Sequence, residues 1–387
     1  MLEISKRARG GPAQHWLSFM ALAAVVAVAS CSASNEEGDT GDSTGSAAAG
    51  VGGSGADGSG GTLNLGGTTG QGGSEDGTLH VPDTLRCAEN DQSLLIIDMR
   101  SGWWHGDGGD YHTVVLDRLF KTADPVTNAP CNNISIEYHY FIKGYTNKCI
   151  YEPGASPQCQ SGQLPESLTL DQFLSYFDKP FDDLTQVWIL SGSQLDSADL
   201  EITASFFVDF VDILADHCMP MLLAADDCFI DHGNIISQAM GMGPVFQHTQ
   251  PYCPTFVGVN AADAASNTAA TVMNAGSNLT DHILFTDVAN IADGVQGSYG
   301  AMGNPTGDSL QPVEGVNVIA TSTMNTPQIG EAFVQIAGEK YPRPVLLDAG
   351  WDRSWTVAGH EGTATYMRNL VLYMGLIGCI AEEHIPK

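Results

Sequence analysis

The sequence predicts an α/β domain with a doubly wound, mostly parallel sheet and disulfide-stapled insertions. Short apolar runs recur after residue 80: Ser93–Asp98, Ile134–Phe141, Gln186–Leu190, Met221–Ala225, Val316–Thr321 and Val345–Asp348. They are continuous rather than alternating, as strands covered on both faces require. Helical patterns separate several of them, and strand–helix alternation is the mark of the doubly wound class. Residues 81–387 exceed what one such sheet needs, so the surplus is expected as insertions, at Cys149–Cys159 and in the Gly/Pro-rich stretch 241–254.

The elements before that domain are of a different kind. Lys6, Arg7 and Arg9 precede an apolar stretch from Trp16 to Val28, the layout of a secretory signal, too short for a comfortable membrane span. Residues 1–30 are therefore expected to be a signal peptide. Residues 31–80 are rich in Gly, Ser, Thr, Ala and Asp and contain neither Lys nor Arg. Such a segment has too little apolar surface to offset its ordering entropy, so a flexible tether is expected. Gly50–Gly55 satisfies GxGxxG and Gly41–Gly45 satisfies GxSxG, but neither follows a strand or opens a helix, so both are accidents of composition.

Within the domain, Leu200, Ala204, Phe207, Val208, Val211, Leu214 and Ala215 mark one face of a helix with Asp199 and Glu201 in its first turn, ending before Pro220. Tyr366, Leu370, Tyr373, Met374 and Ile377 mark a terminal helix, with Thr363 as its expected cap. The chain carries 45 acidic and 15 basic side chains, a formal net charge of −30. That excludes nucleic acid as a partner, because phosphate contacts need clustered Lys and Arg. It equally argues against a basic patch docking on anionic lipid.

Val28-Ala29-Ser30-Cys31 resembles the lipobox of bacterial lipoproteins. The resemblance implies cleavage before Cys31, lipid on that residue, and attachment to the outer membrane or cell surface through it. Eight cysteines then remain: Cys87, Cys131, Cys149, Cys159, Cys218, Cys228, Cys253 and Cys379. An even set in an exported chain points to disulfides, and without a CxxC pair a zinc site is weakly supported. Cys87, Cys131, Cys218 and Cys379 are expected at the amino edge of the sheet, and Cys149, Cys159, Cys228 and Cys253 near its carboxyl edge. Cys149–Cys159 is the preferred local pair, followed by Cys228–Cys253.

Three stretches resemble the class I glutamine amidotransferase-like superfamily, nearest its ThuA-like branch. They are Met221–Cys228; His282–Phe285 with Ile291–Gly294; and Val345–Gly350 followed by Gly359-His360-Glu361-Gly362 and Tyr366–Asn369. The resemblance implies a flavodoxin-like sheet and a nucleophile turn at Cys228, with His360 and Glu361 as its distal partners. Asp226, Phe229 and Ile230 replace the small residues that such a turn needs, so a non-catalytic domain is expected, with a ThuA-like carbohydrate-processing hydrolase or isomerase as the alternative. A caspase-like comparison fails because Ser193 stands where the base would be.

A polar set remains at the strand ends, where open α/β sheets bind ligands. Asp98, His105, Asp226, Asp227 and His360 are expected around one cleft, with Asp231 and His232 nearby. Trp103, Trp104, Trp351 and Trp355 offer flat faces to a sugar ring. Crowded carboxylates there favour a hydroxyl-rich ligand or a divalent metal, although no metal ligand set or cofactor motif is formed, and an envelope protein is the alternative partner.

Overall fold

A computed structural model describes residues 85–87, 91–99, 124–131, 133–142, 144–165, 168–192, 204–217, 219–225, 230–248, 272–292, 300–302, 313, 315–323, 325–336, 339–354 and 361–377. The expected signal peptide and tether lie outside them. So do Cys31, His105, Cys218, Asp226, Asp227, Cys228, Cys253, His360 and Cys379.

The strands are β1 (Gln92–Asp98), β2 (Ile134–Ile142), β3 (Tyr145–Tyr151), β4 (Gln158–Gly162), β5 (Gln186–Leu190), β6 (Met221–Ala224), β7 (Phe246–His248), β8 (Val272–Asn274), β9 (Asn290–Ala292), β10 (Gly300–Met302), β11 (Val316–Thr321), β12 (Pro327–Ile336) and β13 (Glu339–Asp348). The α-helices are α1 (Leu170–Leu174), α2 (Ala204–Asp216), α3 (Asp231–Ala239) and α4 (Glu361–Leu376). None of the described helices is long and apolar enough to cross a membrane. Nine strands form one sheet in the order β11-β12-β13-β6-β5-β1-β2-β3-β4. At its centre β2, β1, β5, β6 and β13 are mutually parallel. Counted along the chain these five run 2-1-3-4-5, the flavodoxin-like order.

The sheet is mixed rather than mostly parallel. Its flanks, β3–β4 on one side and β11–β12 on the other, pair antiparallel. The reason lies in the connections: antiparallel neighbours need only a hairpin, whereas parallel ones need a crossover. At the β2–β3 turn, Gly144 has φ 76°, a conformation other residues rarely adopt. The expected excursion at Cys149–Cys159 is therefore a hairpin that widens the sheet. Cys149 lies opposite Tyr138 in the middle of β2, not at the carboxyl edge, because β3 runs back along its neighbour. Cys149 and Cys159 are register partners and form a disulfide. A second disulfide joins Cys87 to Cys131 ahead of β1 and β2, at the amino edge.

Alternation sorts the central strands into two faces. Leu94, Ile96, Trp188, Leu190, Leu222, Ala224 and Leu346 face α4, where Tyr366, Leu370, Tyr373 and Met374 complete one core. Leu95, Ile97, Val187, Ile189, Leu223 and Leu347 face α2, through Phe207, Phe210, Val211 and Leu214. A rim of aromatic rings from α1 and its exit, Phe173 tilted and Phe177 edge-on, packs around Phe141 and closes the second face near β2.

Thr363 is a helix residue rather than a cap. Its Oγ1 accepts the Ala292 N–H (3.0 Å) from inside α4. The first turn of α4 presses on β9 at this point, and a Cβ on Gly362 would stand 1.6 Å from the Asn290 carbonyl oxygen. Here glycine is required by close approach.

His139 is a buried base beneath the α1 side of β2. Its Nε2 lies 2.6 Å from Glu137 Oε1, and its ring stacks on Phe141 at 5.5 Å. Glu137 also accepts the Asp178 N–H (2.7 Å) and the Lys179 N–H (3.3 Å). Burial pushes the imidazole's pKa below its ordinary value, against the opposing pull of the Glu137 hydrogen bond.

Two expectations follow from the packing. Gly362→Ala should cost about 3 kcal/mol through overpacking, read as a lower midpoint in denaturant unfolding. The unfolded chain protonates His139 near pH 6.5, before the folded chain does, so folded stability should decline as pH falls from about 7 to about 5. In His139→Gln that part of the decline should vanish, leaving a flatter stability–pH curve over the same range.

Candidate functional site at the carboxyl edge

In-register pairing places Asp98, Leu190, Ala224 and Asp348 in one row across β1, β5, β6 and β13. Row partners share a face, so the two carboxylates point to the α4 side, three strand spacings or roughly 14 Å apart. Each is buried, and each is handled differently.

Asp98 ends β1 at the point where the strand order reverses, between β1 and β5. It is fully buried, and Oδ2 accepts a 2.6 Å hydrogen bond from Tyr138 Oη on β2. Across the switch point the chain leaves β5 through Ser191 and Gly192. Ser191 Oγ accepts the Gly233 N–H (2.8 Å), and the Gly192 carbonyl accepts the His232 N–H (3.3 Å). The first amides of α3 are thus bound to the end of β5 and are not offered to an anion. His232 does not join Asp98; its ring packs against Phe207 at 5.8 Å, on the opposite face of the sheet.

Asp348 ends β13 and meets Arg353, which leaves the strand on a 3-10 turn (Trp351–Ser354). Both side chains are fully buried. Arg353 donates from Nε (3.2 Å) and Nη2 (3.0 Å) to Asp348 Oδ1, from Nη2 to Gln328 Oε1 (3.2 Å), and from Nη1 to the Ala292 carbonyl (3.0 Å). Tyr366 Oη donates to Asp348 Oδ2 (2.9 Å). Burial first, and then the neighbouring carboxylate, hold that phenol's pKa well above its ordinary value, so it stays a donor. Every part of the guanidinium is engaged within the protein, which makes Arg353 a structural residue.

Among the residues expected at the cleft, the structure describes Asp98 and finds it at the strand end. His105, Asp226, Asp227, Cys228 and His360 lie outside the described residues, and of Glu361 only its place as the first residue of α4 is described. Trp351 is not a sugar platform. It is buried, edge-on to Trp188 at 5.7 Å, because the turn after β13 folds it over the parallel strands. Tyr138 and Arg353 were not singled out from the sequence. Tyr138 shares a face with Asp98 through the β1–β2 register, which no spacing along the chain reveals. Among the described residues no group of three or more His, Cys, Asp or Glu side chains converges to hold a metal.

No protein-family model and no curated protein matches this chain. Among solved structures, one GMP synthase component from Thermoplasma acidophilum is similar at 11% identity. The match covers 74% of this chain and 96% of that one, with a TM-score of 0.27. At that score the likeness carries no assignment, and the fold class rests on the strand order itself.

Arg353→Met tests the assignment of the ion pair. It leaves the Asp348 carboxylate buried without its cation and should destabilise the fold by about 3–5 kcal/mol. In Asp348→Asn/Arg353→Met, where both charges are gone, calorimetry should recover a substantial part of that loss.

Proposed function

We propose that this chain is an exported, lipid-anchored surface protein that binds a small hydroxyl-rich ligand, such as a carbohydrate, at the carboxyl ends of its parallel strands. The observation that carries this reading is Asp98, a buried carboxylate seated by Tyr138 at the reversal of the strand order. Strand ends at such a reversal splay into a crevice, and a carboxylate there accepts hydrogen bonds from ligand hydroxyls. The acidic surface makes an anionic ligand the wrong partner, which favours a neutral polyol. Cys31 supplies the anchor, and the glycine-rich segment 31–80 supplies reach from the membrane.

The ThuA-like resemblance belongs to the same proposal. In the sequence Cys228 follows β6, the fourth parallel strand of the 2-1-3-4-5 order, which is where the resemblance puts a nucleophile turn. A catalytic version of this reading requires Cys228 to be a free thiol with an imidazole in hydrogen-bond reach. The binding reading requires neither.

Titration calorimetry of the exported chain against a panel of neutral mono- and oligosaccharides should find a binder, and Asp98→Asn should weaken it about 10–100-fold by removing a charged acceptor. Equal affinity in the variant would reject Asp98 as the anchor. Turnover of any panel member that disappears in Cys228→Ser would replace the binding reading with the enzymatic one. Cys31→Ala should move the protein out of the membrane fraction, and normal processing with unchanged fractionation would refute the lipid anchor.

A further inference from the structure

The two ends of the nine-stranded sheet are treated differently by the fold. At the β11 end, residues 278–280 lie along the outer edge: Thr280 N–H donates to the Ile319 carbonyl (3.1 Å), and Thr321 N–H to that of Asn278 (2.9 Å). At the other end all five residues of β4 are exposed, and among the described residues no strand pairs with its outer side.

The direction of the free backbone groups can be derived. Cys149 and Cys159 are register partners with Cα atoms 4.0 Å apart. That is close to the spacing of a non-hydrogen-bonded antiparallel pair (about 4.5 Å) and far from that of a hydrogen-bonded one (about 5.5 Å). The N–H and C=O of Cys159 therefore point away from β3. By alternation those of Ser161 do so too, while Gln158, Gln160 and Gly162 bond inward.

We propose that β4 is a homodimer interface, in which β4 pairs antiparallel with β4 of a second copy about a two-fold axis through Gln160. In this register Cys159 stands opposite the partner's Ser161. Each N–H donates to the facing carbonyl, so every outward backbone group of both strands is satisfied. The two Gln160 side chains meet at the axis, where one amide donates to the other's carbonyl.

Four observations favour a second copy as the occupant. The strand reads Gln-Cys-Gln-Ser-Gly, without a charge, in a chain with 45 acidic and 15 basic residues. Most of its surface repels another copy, and this neutral strand is where two copies can meet without opposing like charges. Lys148, the cross-strand neighbour of Gln160, is already paired with Asp178, so no uncompensated cation faces the axis. The usual protections of an edge are also missing, since β4 holds neither lysine nor proline, and its pairing with β3 is continuous. The Cys149–Cys159 disulfide fixes the strand before it pairs, which lowers the ordering cost of association.

The test is sedimentation equilibrium of the exported full chain carrying Cys31→Ser, so that no lipid drives association, over about 1–200 µM. A concentration-dependent dimer is expected. Ser161→Pro removes an outward N–H and spares the β3 ladder, and Gln160→Lys sets two ammonium groups together at the axis. Each should raise the dimer Kd at least about tenfold. Gln160→Lys leaves the Tyr145–Ser161 hydrogen bond (3.0 Å) intact, so its effect is separable from local loosening. Gln160→Cys should give a dimer cross-linked by a thiol-reversible disulfide, whereas Gln158→Cys, away from the axis, should not. A monomer throughout the range overturns the proposal, as does a dimer whose Kd neither Ser161→Pro nor Gln160→Lys changes, or one that Gln160→Cys fails to cross-link.

Discussion

Arg353 and Asp348 form an ion pair from which water is excluded, and the carboxyl edge of the sheet is assembled around it. The pair ties the end of β13 to Gln328 at the start of β12, to the Ala292 carbonyl of β9 and to Tyr366 of α4. Next to it, Ala225 N–H donates to the Asp348 carbonyl and Trp351 N–H to that of Ala225, so the exit from β6 is set by the same cluster. Against a well-packed apolar replacement such a pair contributes little net stability. Its importance lies in obligation: once two charges are buried, each hydrogen bond around them must be kept. The segments supplying those bonds are thereby held in one arrangement.

That arrangement commits the polar groups of the edge to internal partners. The Arg353 guanidinium and the first amides of α3 would be the obvious anion-binding elements of this edge, and the fold engages both internally. At the switch point the described residues place a carboxylate and a phenol, Asp98 and Tyr138, bonded to each other.

The parallel centre was legible because its strands are buried on both faces and so read as unbroken apolar runs; β1, β2, β5 and β6 and the last residues of β13 match those runs closely. The flanks were legible only at β11, which coincides with the run Val316–Thr321. Tyr145–Tyr151 mixes Asn147 and Lys148 among its apolar residues, and β4 contains no large apolar residue at all, because a sheet edge has little core to fill. β12 was obscured by Gly330 and Glu331, the latter buried only because Tyr373 and His282 bond its carboxylate. At the site, Asp98 was legible from its position after an apolar run, whereas Tyr138, Ser191 and Arg353 take their roles from partners on other elements. Trp351 misled because an aromatic in a turn looks the same in sequence whether it faces solvent or folds back over the core.

The Cys87–Cys131 bridge closes a loop of 44 residues that contains β1 and the whole crossover to β2. In the chain-entropy model a loop of that size is worth about 4 kcal/mol, a large share of the 5–15 kcal/mol typical of a whole domain. The bond cannot persist where thiols are kept reduced. Parallel pairing across long crossovers is also slow to form. A newly made chain is thus poorly committed to its fold before it meets an oxidant. Oxidation then acts as a latch, removing the extended conformations through which the chain could leave the folded state.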